Sequence, residues 1–189
     1  LLSGATFVTG TVSLNDNVAL AAELPFARYG TNAEGTSPTT ALGNPYLGVG
    51  FSSTTLPLLL EIGTRLPLAP SNAAARLGQS ADIGRTSAFR REEFGLSTLL
   101  NGRLSTGRNS TLRLRTGLGY ASRPRAGNTE RDWRLLYEAQ LWREGERFIT
   151  GLSMAGRAML STPRQTQHHA VISVMGNWRR VQPGLLAGT

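Results

Sequence analysis

Apolar residues recur at every second position through most of this chain, and the charges between them keep to the opposite parity. Val18-Leu20-Ala22-Leu24-Phe26, Leu58-Leu60-Ile62-Thr64-Leu66-Leu68 and Leu112-Leu114-Thr116-Leu118-Tyr120 are three such rows, interleaved with Glu23, Glu61, Arg65, Arg113 and Arg115. A strand points successive side chains to opposite faces, so each segment has one apolar face and one charge-bearing face. The rows are long and recur along the chain.

The alternation predicts ten strands with connections that alternate between short and long. Thr6–Leu14 and Val18–Tyr29 flank a tight turn at Asn15-Asp16-Asn17, and Gly30–Leu42 is a polar loop. Asn44–Ser52 and Leu56–Leu68 flank Ser53-Thr54-Thr55, and Ala69–Arg90 is the longest loop. Within that loop, Asn72–Leu77 has helical character with Ser71 or Asn72 as its cap. Glu93–Leu104 and Thr111–Ser122 flank a turn at Ser105–Ser110, and Arg123–Arg131 is a loop. Asp132–Trp142 and Arg147–Met159 flank Arg143–Glu146, Leu160–Thr166 is a loop, and Gln167–Trp178 follows. Arg179–Gln182 turns into a tenth strand at Pro183–Thr189. Strands of ~9–13 residues exceed the globular norm of about 5–6 and match what a tilted membrane strand requires.

These features predict an all-β fold: an antiparallel up-and-down transmembrane barrel of about 10–12 strands, with short periplasmic turns and longer extracellular loops. Residues 1–189 read as one domain. The lumen would be lined by Glu23, Glu61, Arg65, Glu93, Arg103, Arg113, Arg115, Arg134, Glu138, Arg147 and Arg157. Arg28, Glu92 and Arg143 break the parity only at strand ends. An Arg facing lipid at mid-depth costs ~2–4 kcal/mol, which gives the segregation a physical cause. Phe26, Phe94, Tyr120 and Trp133 fall on the lipid parity near the long loops; Phe51, Phe148 and Trp178 do so near the short turns. Two aromatic girdles are expected of an interface-anchored barrel. The competing reading is a soluble barrel or sandwich with its apolar rows turned inward. Against it, Gly63, Gly95, Gly117, Gly119, Gly151, Ala19, Ala21 and Ala155 crowd the charged parity. A narrow lumen needs that room for long side chains, whereas a solvated face does not.

Composition narrows the function classes. No apolar run approaches the ~20 residues of a membrane helix, and without cysteine there are neither disulfides nor thiolate metal sites. The chain begins at Leu1 and stops at Thr189 within its last strand, so the sequence predicts a mature or truncated product, incomplete at one or both ends. The 20 basic residues are all Arg, and the net charge is +8. They are spread along many segments without an aromatic-interleaved patch, which speaks against nucleic-acid binding. No phosphate loop, dinucleotide fingerprint, zinc spacing or haem-attachment motif appears, so no cofactor and no metal is expected.

Three stretches resemble a known family. Leu14-Asn15-Asp16-Asn17-Val18-Ala19-Leu20-Ala21-Ala22-Glu23-Leu24-Pro25-Phe26 is similar to a turn followed by a strand that ends in Glu-Leu-Pro-aromatic. Gly43-Asn44-Pro45-Tyr46-Leu47-Gly48-Val49-Gly50 and Glu61-Ile62-Gly63-Thr64-Arg65-Leu66-Pro67-Leu68 continue the likeness. Together they resemble the bacterial outer-membrane transporter family assigned to the MetA pathway of phenol degradation. Asn44 stands where that family usually has an acid, and Leu68-Ala69 where Thr-Gly is common. The resemblance covers residues 5–70 and implies an outer-membrane barrel with a transport role.

Seven lumen Arg against four Glu would favour anions in an open pore. The same residues would equally serve as ion pairs that fill and brace a narrow barrel, for instance Arg113 and Arg115 facing Glu93 or Arg103. The Ala69–Arg90 loop, folded inward, would narrow it further. Loop residues Arg85, Arg90, Arg91, Arg123, Arg125 and Arg131 would face outward, where Arg forks suit lipopolysaccharide phosphates. The expected function is therefore an outer-membrane channel for small solutes, in contact with outer-membrane lipid. A structural barrel in an envelope assembly, with a plugged lumen, is the alternative. Catalysis is not expected: His168 and His169 are the only histidines, and no motif ties Ser161 or Ser173 to them.

Overall fold

The computed structural model describes residues 3–30, 37–53, 55–81, 83–125, 127–161, 166–176 and 184–188. These form one antiparallel sheet of eleven strands. In chain order they are β1 (Gly4–Ser13), β2 (Val18–Tyr29), β3 (Thr39–Leu42), β4 (Tyr46–Ser52), β5 (Leu58–Arg65) and β6 (Phe94–Gly107). Then come β7 (Ser110–Arg125), β8 (Asn128–Glu144), β9 (Phe148–Met159), β10 (Gln167–Gly176) and β11 (Gly184–Gly188). Each strand pairs with the next in an up-and-down order, and β3 pairs with β2 beside β4. The sheet is open, with β1 and β11 at its two ends. Between β5 and β6 lie a helix α1 (Ala73–Ala81) and a kinked 3-10 segment, Ile83–Phe89.

Strand identity follows the alternation closely, and the differences lie at the ends. The expected loop Gly30–Leu42 contains β3, because β2 runs past the start of β4. Tyr46 opens β4 opposite Glu23, so the outer third of β2 would present a bare edge; Thr39–Leu42 pairs with Tyr29–Phe26 instead. The Gly43 amide donates to the Pro25 carbonyl at 2.8 Å, so β3 and β4 are two halves of one lane broken at 43–45. The expected Arg123–Arg131 loop is largely strand: β7 and β8 remain paired from Ser122↔Arg131 out to Arg125↔Asn128. Gly127, with φ of 85°, makes the reversal that an L-residue resists. β6 and β7 close around 108–109 rather than 105–110, with a register shift between Ser105 and Gly107. The helix extends to Ala81, and Asn72 is its cap: the Asn72 Oδ1 accepts from the Ala75 amide at 2.8 Å.

The two faces of this sheet differ sharply in exposure. Leu118 is 50 % exposed, Trp133 52 % and Ile172 63 %, all on the apolar parity, whereas Glu93 is 2 % exposed and Arg134 6 %. The competing arrangement, with the apolar rows turned inward, is not the one seen: the charged parity faces in. The register also staggers from strand to strand. Partners of Val18, beside the first tight turn, run through Phe51, Leu60, Leu100, Thr116, Tyr137 and Gly156 to His168. His168 lies at the long-loop end of β10, so the partner row climbs from one rim of the sheet to the other. Tilt with such shear is what lets a sheet curl, and one cavity collects residues from β1 and from β10.

Candidate functional site

The concave face carries a cavity of about 350 Å³. Small residues make the room. Ala21, Gly48, Gly63, Ser97 and Gly119 form one inward-facing row of register partners that leads to Arg134. Glu23, Glu61, Arg65, Glu93, Arg115, Arg134, Glu138 and Arg157 all line the cavity. Arg103 and Arg113 sit apart, directly opposite each other on β6 and β7, in a second hollow toward the short turns. Arg147 differs from expectation. It falls in the exposed turn before β9, because that strand begins at Phe148.

Charge is arranged here by pairing across the face. The Glu23 carboxylate receives Arg65 at 2.6 Å and Arg85 at 3.4 Å. Arg134 forks onto Glu93 with two bonds of 2.8 Å, and Arg90 reaches the same carboxylate at 3.2 Å. This bidentate geometry is the strong form of the contact, and removing one member of such a buried pair costs about 3–5 kcal/mol. Arg115 and Glu138 are register partners, 3.8 Å apart. Of the expected facing pairs, Arg113 does lie opposite Arg103, whereas Arg115 lies opposite Asn101 on β6 and Glu93 serves Arg134. Tyr46, absent from the sequence-based set, donates its hydroxyl to Glu61 and lies beneath the Arg65 guanidinium, 5.3 Å from ring centroid to Cζ. Its ring lies across Gly63, where a Cβ would meet the Tyr46 hydroxyl oxygen at 2.1 Å.

The longest connection folds onto this concave face. Phe89 is fully buried against Ala27, Ala41, Ala74, Ala75 and Ala88, and meets Phe7 of β1 edge-on at 5.9 Å. The Arg85 guanidinium lies over the Phe7 ring, 4.6 Å from its centroid. Asn44, also fully buried, ties the segment down: its amide nitrogen donates to the carbonyls of Ser87 at 2.9 Å and Arg90 at 2.7 Å. Its Oδ1 accepts from the Ala69 amide at 2.7 Å. Arg85 and Arg90, expected to face outward, therefore turn toward the interior carboxylates. Among the other loop arginines, Arg91 pairs with Glu92, while Arg123 and Arg125 both reach Glu130.

Phe26, Phe51, Trp133 and Phe148 stand exposed on the convex face, with Phe94 and Tyr120 half-buried on the same parity; Trp178 lies outside the described residues. Tyr120 and Trp133 pack together, centroids 5.1 Å apart. On that face too, the Tyr137 hydroxyl and His168 Nδ1 are 2.8 Å apart, while Ser161 donates to Asp132 rather than to a histidine. No group of three or more His, Asp or Glu among the described residues is placed to hold a metal ion. No family model matches the chain, and no curated protein matches it.

Proposed function

We propose that this chain is a bacterial outer-membrane β-barrel channel that passes small solutes through a polar, arginine-rich lumen. The observation that carries the reading is the inversion of its faces. A row of Leu, Val, Phe and Trp is exposed on the convex side while Glu23, Glu93, Arg134 and Arg157 are buried on the concave side. Water would reverse that distribution; lipid outside and a hydrated interior stabilise it. In a bilayer the free edges of β1 and β11 must be paired, because each unsatisfied backbone group in hydrocarbon costs several kcal/mol. The stretches 14–26, 43–50 and 61–68 add their resemblance to outer-membrane transporters.

A second reading, an envelope scaffold with a plugged lumen, draws on the seating of 69–90 against the concave face by Asn44 and Phe89. The reversal potential of the refolded protein in a planar bilayer under a salt gradient separates the two. Discrete, anion-preferring conductance that weakens on Arg103→Glu or Arg113→Glu supports the channel. Folded, inserted protein that carries no current favours the scaffold. Protein that stays in the aqueous phase as a folded monomer sinks both.

A further inference from the structure

Six buried side-chain polar atoms among the described residues lack a hydrogen-bond partner, and five share one wall. These are Arg115 Nε, Arg134 Nε, Arg157 Nε, Gln140 Oε1 and His169 Nδ1, all on the inward parity of β7 to β10. Buried polar groups are almost always satisfied, so a cluster of orphans points to a partner that is not protein. Arg134 and Arg115 at least have carboxylates, Glu93 and Glu138. Arg157 has none within ion-pair distance among the described residues. It is 6 % exposed and lines the cavity, and its one hydrogen bond goes to a neutral acceptor, Gln167 Oε1, at 2.7 Å.

A buried guanidinium with an unpartnered Nε and no carboxylate beside it is expensive unless an anion completes it. The register places that anion. His169 lies opposite Ala155, two residues before Arg157, so the two residues are diagonal neighbours on the inward face. Gln167 lies directly opposite Arg157. Leu99, Leu136 and Ala155 border the same cavity and supply an apolar side. We infer that Arg157 and His169 form a binding subsite for a small monocarboxylate solute within the cavity. One uncompensated positive charge selects a monoanion, the guanidinium fork matches a planar carboxylate, and the apolar border accepts a short hydrocarbon tail.

The inference rests on the channel reading, since it treats the cavity as part of a solute path. Its test is calorimetric titration of the refolded full-length protein with sodium butyrate, butyramide and inorganic phosphate at neutral pH. Butyrate is expected to bind once per chain and butyramide not at all. Arg157→Gln, which removes the charge and keeps a polar side chain, should weaken butyrate about tenfold or more, and His169→Gln should weaken it less. Arg28→Gln, on an exposed strand end, should change nothing. Absence of butyrate binding by protein that migrates as folded, or equal affinity in Arg157→Gln, overturns the subsite. Tighter binding of phosphate than of butyrate overturns the choice of carboxylate. A protein that conducts without binding butyrate loses only the subsite, and one that binds butyrate without conducting loses only the channel.

Discussion

Asn44 shows how much a single amide decides. Its two N–H donors meet the carbonyls of Ser87 and Arg90, and its oxygen meets the Ala69 amide. An aspartate of the same shape would aim an oxygen at two carbonyl oxygens. Asn44→Asp should therefore cost about 1–3 kcal/mol, more if the acid ionises. The midpoint of urea unfolding of the refolded protein measures it, and an unchanged midpoint would remove Asn44 as the anchor. Gly63 makes the complementary point. An added methyl would press into the Tyr46 ring, while at Gly10 it would meet nothing within 4 Å. Gly63→Ala should cost about 1–3 kcal/mol by displacing Tyr46 from Glu61, and Gly10→Ala should be nearly neutral. Neither role was legible in the sequence. Tyr46 reads as an ordinary strand residue until register sets Tyr46 beside Arg65 and Gly48 beside Gly63.

At the scale of elements, periodicity located the strands well and their ends poorly. β7 and β8 show why. Inside the expected span, lipid or water on one side and charge on the other enforce strict alternation. Beyond it, both faces of the hairpin tip meet water, so Arg123, Arg125, Glu130 and Arg131 look like loop residues although the ladder continues and Arg123 bonds Glu130 across it. β3 was illegible for another reason. Four residues carry too little pattern, and it is the bare edge of β2 that recruits them. The apolar parity of β7 also yields the sharpest test of what the convex face touches. Leu118 sits mid-strand and 50 % exposed. Facing lipid, Leu118→Arg should cost about 2–4 kcal/mol of stability in phosphatidylcholine vesicles. Facing water, it should fall within about 0.5 kcal/mol, as ordinary surface substitutions do. Equilibrium unfolding from vesicles distinguishes the two outcomes.

For the whole molecule, the question is how much of the interior the 69–90 segment closes. Its attachment is concentrated in a few contacts: Asn44 to the backbone at 69, 87 and 90, Arg85 to Glu23, and Phe89 in the alanine cluster beside Phe7. The sheet does not depend on it, since every strand pairing from β1 to β11 is made without residues 69–90. A sheet held by its ladder, with an insert held by a small set of contacts, can therefore shed the insert and keep its wall. Phe89→Ala removes the anchoring ring, and a buried Phe is worth about 3–5 kcal/mol, enough to shift a docked segment substantially toward the released state. If the segment obstructs the lumen, single-channel conductance of Phe89→Ala should rise above wild type while the folded band on unheated gels is unchanged. Crosslinking 89 to β1 through a Phe7→Cys and Phe89→Cys pair should hold conductance at or below the wild-type level until reductant is added. Equal conductance in all three proteins would place the permeation route elsewhere and leave the segment a purely structural brace.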